Sequence, residues 1–427
     1  MNQFKISFQD FQQCLKISPL PIISLLLYMG LKSTTILPGG LHEVNGAYHP
    51  AYLGWYDFVL GYAIIFSFIT GSPKLKLKDF FLGLVILFII SASWVNSYQA
   101  DKMFIVAGLV CFLRFFLVFT FAKALVRQLG YQTAESVLLF VYAIIAVSAI
   151  LWYSLQFGTV QNRMAASAMT SASFGQVSGI ICLVFYAKKH YLALFFSFIF
   201  LFLSFSRTSL LLFLMLIIIQ NRRLIPLNLV KYVLVFLLLG IVGITILQKY
   251  GGKETQVVLK SRFSTEEVSQ LNGRNEIWAK AIEQFKEGEV PLTGVGFHMT
   301  PTLIQNNNLK LYKSEDAGGY SPLPHFHSIL VEYSLSLGIF AFVIFFYLIK
   351  RIWQTFQHNC SPAFFIFAFF LLSQVIDYTF YPPKEIIIFA LMLGLADGQL
   401  SSTLAKIKSI DTKSANPEKS LYLKLRH

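Results

Sequence analysis

Apolar runs close to the length that crosses a bilayer recur from one end of this 427-residue chain to the other, and no other feature limits its possible folds so sharply. Hydrophobic residues make up 56% of the chain, aromatics 16% with 43 Phe, and charged residues only 13%, with a mean hydropathy of +0.62. That balance lies far from a soluble domain. The chain reads as an all-α polytopic membrane protein with one sizeable insertion.

Spans are expected near 17–37, 54–71, 79–96, 103–122, 136–157, 172–187, 190–205, 208–220, 229–248, 326–349, 362–381 and 384–400, about twelve transmembrane helices in all. With a cytoplasmic N-terminus, "SPKLKLKD", "KALVRQ", "AKKH", "NRRLIPLNLVK" and "KRIWQ" face inward, as does a tail carrying Lys406, Lys408, Lys413, Lys419, Lys424 and Arg426. The short outward loops hold essentially Lys102, Arg163, Arg207 and Lys384. Basic residues concentrate on the cytoplasmic side of membrane proteins, so this asymmetry orients the chain with both ends inside. Four parts result: membrane helices over 1–248, a large periplasmic loop over 249–325, further membrane helices over 326–400 and a basic cytoplasmic tail over 401–427.

The net charge of +14 is then a topology signal. The outward segment 249–325 holds nine Lys or Arg against nine Asp or Glu and has no basic stripe with interleaved aromatics, which argues against a nucleic-acid partner. Cys14, Cys111, Cys182 and Cys360 are scattered and imply no disulfide framework. His325 and His327 are two apart with no Cys-rich or HExxH pattern beside them, so neither a metal nor another cofactor is expected. The start, "MNQFKISFQDFQQCLKISPL", is polar and too weakly basic for a cleavable signal, so the first span should stay as an anchor.

Three polar constellations gather where the spans meet the outer face. In "FLSFSRTSLLLFLM", residues 202–215, Arg207 sits in a tight turn between two apolar spans, at or below the membrane surface. A cation there needs a carboxylate or a bound anion to offset its desolvation, unless it snorkels from a helix end. In "NGRNEIWAKAIEQFKEGEVPLTGVGF", residues 272–297, Asn272 suits an N-cap, and Ile277, Trp278, Ala281, Ile282 and Phe285 recur at helical spacing. That predicts an amphipathic helix ending near Gly288, with Arg274 in its first turn. A cation opposes the helix dipole there. An arginine beside unpaired helix N–H groups can hold an anion, although a solvated surface arginine accounts for it too.

The third constellation is "PHFHSILVEYSLSLGIF", residues 324–340. Counted along a helix, His327, Val331, Ser334 and Gly338 form one stripe, two of them small, so another helix can approach closely and hold the imidazole in place. Glu332 lies well round the helix and aligns with Ser328, so it is no obvious partner for His327. His325 fits a wet interfacial residue.

"HSILVEYSLSLG" resembles the H-[N/S/Q]-x9-G motif of bacterial O-antigen ligases, with His327, Ser328 and Gly338 in the motif positions. An Arg after a very apolar span ("SRTSLLLF"), an R-x-x-[IL]-W helix followed by P-L-x-G-V-G, an earlier outward "NRMAASAMTSASFG" with Arg163, and a large loop ending at the histidine are similar to that family too, in the same order. The resemblance covers roughly residues 140–400. Two positions depart from the common pattern: Ser328 stands where many members carry Asn, and Ala341 where Gly, Thr or Tyr is usual.

The resemblance implies a fold of the GT-C type and an inverting, metal-independent glycosyltransferase in the bacterial inner membrane. Such an enzyme moves a glycan from undecaprenyl diphosphate to the lipid A-core at the periplasmic face. It implies His327 as the base that takes the acceptor's proton and Arg207 and Arg274 as cations on the leaving diphosphate, with Arg163, His325, Ser328 and Glu332 as substrate-binding residues. O-antigen polymerases and protein O-oligosaccharyltransferases share the broader superfamily and remain alternatives. A lipid-glycan transporter, from a different class, should place its polar groups near the bilayer midplane. Asp57 and Arg114, inside spans, are the features on that side, and they can pair with each other.

Overall fold

The computed structural model describes residues 2–30, 55–95, 102–155, 171–204, 206–221, 274–297, 299–300, 303, 312–314, 319–321, 326, 328–378 and 383–414. Within them the chain is helical except for one small hairpin. The helices are α1 (Asn2–Ile17), α2 (Pro19–Gly30), α3 (Trp55–Ile69), α4 (Leu77–Trp94), α5 (Lys102–Leu129), α6 (Tyr131–Leu155), α7 (Ser171–Ala187), α8 (Tyr191–Leu203), α9 (Arg207–Gln220), α10 (Arg274–Lys286), α11 (Ile329–Leu337), α12 (Ala341–Gln357), α13 (Ser361–Ile376) and α14 (Pro383–Ser414). A single 3₁₀ turn, Gly338–Phe340, joins α11 to α12, and the strands Tyr312–Ser314 and Gly319–Ser321 pair antiparallel with Tyr312 opposite Ser321.

Four stretches among the described residues are long and apolar enough to cross a membrane: Gly108–Leu129, Tyr131–Leu151, Ile329–Gln357 and Lys384–Ser409. Seven shorter apolar helices accompany them. The architecture is that of a multi-pass membrane protein. Each of these helices overlaps a stretch expected from hydropathy, and the expected span 229–248 lies outside the described residues.

Helix α14 runs through the core, and every residue from Lys384 to Gly398 is buried. Two glycines let α5 reach it. A Cβ on Gly394 would lie 2.4 Å from the Phe119 carbonyl oxygen, and one on Gly398 would lie 2.7 Å from Cβ of Val126. The pair is spaced G-x-x-x-G, which brings two helix backbones together where the hydrophobic effect offers no drive between helices in lipid. Helix α13 closes the other side with an unbroken buried run from Ala363 to Phe370.

Buried charges tie the same helices at one end of the bundle. Asp397 on α14 takes Lys123 of α5 at 2.6 Å and Arg351 of α12 at 2.9 Å, while Tyr347 donates to it at 3.2 Å. Lys123 also lies 3.4 Å from Asp79 of α4, which accepts from Arg127 at 2.6 Å. The basic stretches "KALVRQ" and "KRIWQ", expected as inward loops, are therefore helical here, and Lys123, Arg127 and Arg351 engage acids inside the protein. Helix α5 continues to Leu129 and leaves only Gly130, at φ +85°, before α6.

Asp57 and Arg114 do pair, through Nε and Nη2 at 2.5 Å each, with Tyr28 donating to the same carboxylate at 3.0 Å. At the N-terminus the polar opening folds as α1. It buries Phe11 and Cys14 and stacks Phe11 on Phe140 of α6, with ring centroids 3.9 Å apart.

Candidate active site

The stretch expected as one helix over 326–349 is broken. Helix α11 ends at Leu337, Gly338 adopts φ +55°, and α12 starts at Ala341. The break comes from the P-L-x-G-V-G segment, which lies across it backbone to backbone. Val295 N–H donates to the Leu335 carbonyl at 2.9 Å, Gly296 N–H to the Ser336 carbonyl at 3.0 Å, and Ile339 N–H to the Leu292 carbonyl at 2.9 Å. A Cβ at Gly338 would stand 2.0 Å from the Leu292 oxygen, and one at Gly294 would stand 2.4 Å from the Ser336 oxygen. The glycines of the two motifs therefore answer one another. The close approach expected at Gly338 is made by this loop and not by another helix.

Helix α10 follows the same logic. Arg274 is the first described residue of this helix, the expected N-cap Asn272 lies outside the described residues, and the helix ends before Gly288, which has φ +77°. Its buried face differs from the expected one. Ile277, Ala281 and Gln284 are buried with Trp278 packed beside them, whereas Ile282 and Phe285 are exposed. Ile277 and Ala281 join Val290, Leu303, Phe326 and Leu335 in one apolar cluster, which fastens α10 onto α11.

Phe326 is the point where these parts meet. Its ring is fully buried, its carbonyl accepts from Trp278 Nε1 at 3.0 Å, and its N–H donates to Glu332 Oε2 at 3.1 Å. Ser328, also buried, caps α11 in an extended conformation, and its carbonyl accepts from the Glu332 N–H at 2.8 Å. His327 stands between these two fixed residues. His327, His325 and Arg163 lie outside the described residues, and Arg274 is described as backbone only.

Arg207 is half-buried and opens α9. Arg207 thus heads a helix, where the dipole disfavours a cation unless an anion is bound. The turn before Arg207 packs closely on α7, since a Cβ at Gly175 would lie 2.5 Å from Ser204 Oγ and from Ser206 Cβ. Gln176 then donates to the Asp377 carbonyl at 2.9 Å and accepts from Gln374 at 2.8 Å. Tyr378, just beyond, meets Tyr333 of α11 edge-on at 6.3 Å. The turn of Arg207 and the head of α11 are therefore linked at one end of the bundle, through the start of α7 and the end of α13. The charged network around Asp397 lies at the other.

Beneath α11 runs an apolar cavity of ≈ 190 Å³. Phe297, Ile329 and Tyr333 line its end near residue 327, and Phe119, Tyr347 and Leu393 line its far end. Its lining runs from Ile329 and Tyr333 on α11 past the break to Ile344, Tyr347 and Leu348 on α12. Val343, on its wall, is 52% exposed, so the cavity opens sideways, towards where lipid would be. Only Cys111, Tyr333 and Tyr347 bring polar side-chain atoms to it among the described residues.

The Glu332 contact and the cavity were not read from the sequence. Glu332 sits five positions after His327, a spacing that excludes a same-face contact with it. Its partner is the preceding residue's amide, reached because the chain is extended before the helix. Nothing in the periodicity marks that. A search of curated proteins finds no match to this chain. Residues 192–346, which hold both arginines, the P-L-x-G-V-G segment and the H-S-x9-G motif, match the family model described as O-antigen ligase, the family to which those motifs pointed.

Proposed function

We propose that this protein is an O-antigen ligase, a glycosyltransferase that moves a glycan from undecaprenyl diphosphate to the lipid A-core at the periplasmic face of the inner membrane. The observation that carries the reading is the apolar cavity, open to one side and roofed by the helix that the motif histidine heads. A polyprenyl tail requires such a slot, and a diphosphate attached to it would emerge at the end where Arg207 and the start of α10 lie.

In this reading the acceptor hydroxyl attacks the anomeric carbon, His327 takes its proton, and the C–O bond to the diphosphate breaks with inversion. A neutral imidazole titrates near the working pH, and general-base catalysis typically contributes ~10²–10⁴-fold. The leaving diphosphate gathers charge. A guanidinium about 4 Å away contributes on the order of 4 kcal/mol at an effective dielectric of ~20, and it can hold two phosphate oxygens at once. Arg207 and Arg274 fill that role, with Arg163, His325 and Ser328 contacting substrate.

The test is transfer by the purified protein from a lipid-diphosphate glycan to lipid A-core. The expected result is a capped core, nearly abolished in His327→Ala and weakened in Arg207→Ala and Arg274→Ala, with Lys rescuing Arg207 only in part. Donor glycans joined to one another with the core left bare would make the protein a polymerase. Full activity in His327→Ala at normal expression would remove the base assignment.

A further inference from the structure

We propose that Glu332 and Trp278 are positioning residues which, by gripping Phe326 from both sides, set His327 in register with the N-terminus of α10. This deepens the reading above and rests on His327 as the base. Phe326 cannot shift without breaking something. Its N–H is held by the Glu332 carboxylate at 3.1 Å, its carbonyl by the Trp278 indole at 3.0 Å, and its ring by the cluster of Ile277, Ala281 and Leu335. His327 is the next residue in the chain. Arg274 stands one turn ahead of Trp278, about 6 Å along the same helix face. One clamp therefore relates the chain at the base to the chain at one of the leaving-group cations.

The chemistry of the two gripping residues suits the task. A glutamate that is 3% exposed is costly to bury, and the local dipole of α11 together with an N–H donor offsets part of that cost. Trp278 donates one directional hydrogen bond and packs with its remaining surface, so it aligns the α10 helix in rotation as well as in distance. A displacement of about 1 Å between catalytic groups costs on the order of 10²-fold in rate. The clamp is short enough to prevent one.

The test separates the clamp from the base. Hydrogen exchange at the Phe326 amide reads the grip without reference to activity, and kcat with KM for the lipid donor reads its consequence. Glu332→Ala should raise Phe326 exchange about tenfold or more and lower kcat by 10- to 100-fold, with KM within about threefold. Glu332→Gln keeps an acceptor oxygen in place and should restore most of both. Trp278→Phe keeps the ring and loses the donor, and should lower kcat several-fold; with Glu332→Gln it carries the test if Glu332→Ala does not fold. In a His327→Ala background, adding Glu332→Ala should cost almost nothing more, because groups acting through one another are not additive. Unchanged exchange in Glu332→Ala, or a full further loss in the double variant, would overturn the proposal. If His327→Ala alone stays fully active, the base reading falls, while the exchange data still decide whether Glu332 grips the segment.

Discussion

Replacing Gly338 by alanine should release the loop that braces the α11–α12 break, and the cost can be worked from the structure. The backbone there has φ +55° and ψ −132°, a region open to glycine and strained for any L-residue by about 1–3 kcal/mol. The new methyl group would also start 2.0 Å from the Leu292 oxygen. That carbonyl has to retreat by more than an ångström, and with it go three backbone hydrogen bonds of 2.9, 3.0 and 2.9 Å made by Val295, Gly296 and Ile339. At about 1 kcal/mol each, strain and lost bonds together come to about 4–6 kcal/mol.

Gly288 provides the control. It has φ +77° with nothing within 4 Å of a Cβ, so Gly288→Ala meets strain alone, about 1–2 kcal/mol. Hydrogen exchange at residues 292–296 in detergent-purified protein measures local opening directly. Gly338→Ala should speed it by about 10³- to 10⁴-fold, at 1.4 kcal/mol per tenfold, with transfer activity falling in parallel, while Gly288→Ala leaves this segment protected. Equal exchange at 292–296 in the two variants would refute the inference that motif glycine and motif loop brace one another.

Three further outcomes are expected. Gly394→Ala should destabilise the bundle more than Gly398→Ala, because the first methyl meets the Phe119 backbone and the second only the Val126 side chain; thermal unfolding of both variants checks the order. Asp397→Asn leaves Lys123 and Arg351 facing a neutral amide, and breaking a buried pair from one side typically costs about 3–5 kcal/mol, so a melting point within one degree of the parent would contradict the network's role. If 249–325 is periplasmic, Asn307→Cys reacts with an impermeant thiol reagent added outside spheroplasts and Asn221→Cys does not; the reverse pattern would invert the orientation.

Hydropathy alone located the apolar helices, because a span needs no partner to declare itself. It failed where two distant segments decide the local structure. The run from Ile329 to Ile349 is predominantly apolar and reads as one helix, and its break at Gly338 is imposed by Leu292 and Gly294, more than forty positions earlier. The buried face of α10 was misjudged for a related reason, since Ile282 and Phe285 satisfy the period yet point away from α11, and Gln284 takes a buried place. Helix α1 carries a readable signal in the helical spacing of Phe11 and Cys14, masked by its polar composition. Basic residues were read for topology, which weighs Lys123 and Arg351 as loop charges. Their burial depends on Asp79 and Asp397, and no window of sequence contains both signs. At the site, spacing placed Arg274 within helix α10, but the pairing of Glu332 with the Phe326 amide depends on the extended chain before α11.

The joint between α5 and α14 also bears on how the protein is assembled. Asp397 is synthesised some 270 residues after Lys123 but only 46 after Arg351, so until it arrives Asp79 is the acid within reach of Lys123 and Arg127. A helix bearing a lone aspartate partitions poorly into hydrocarbon. Delivered to a vacant slot already lined with two cations, the same aspartate becomes the group that draws α14 home. Insertion of that helix and its docking against α5 and α12 are then favoured by the same ion pairs.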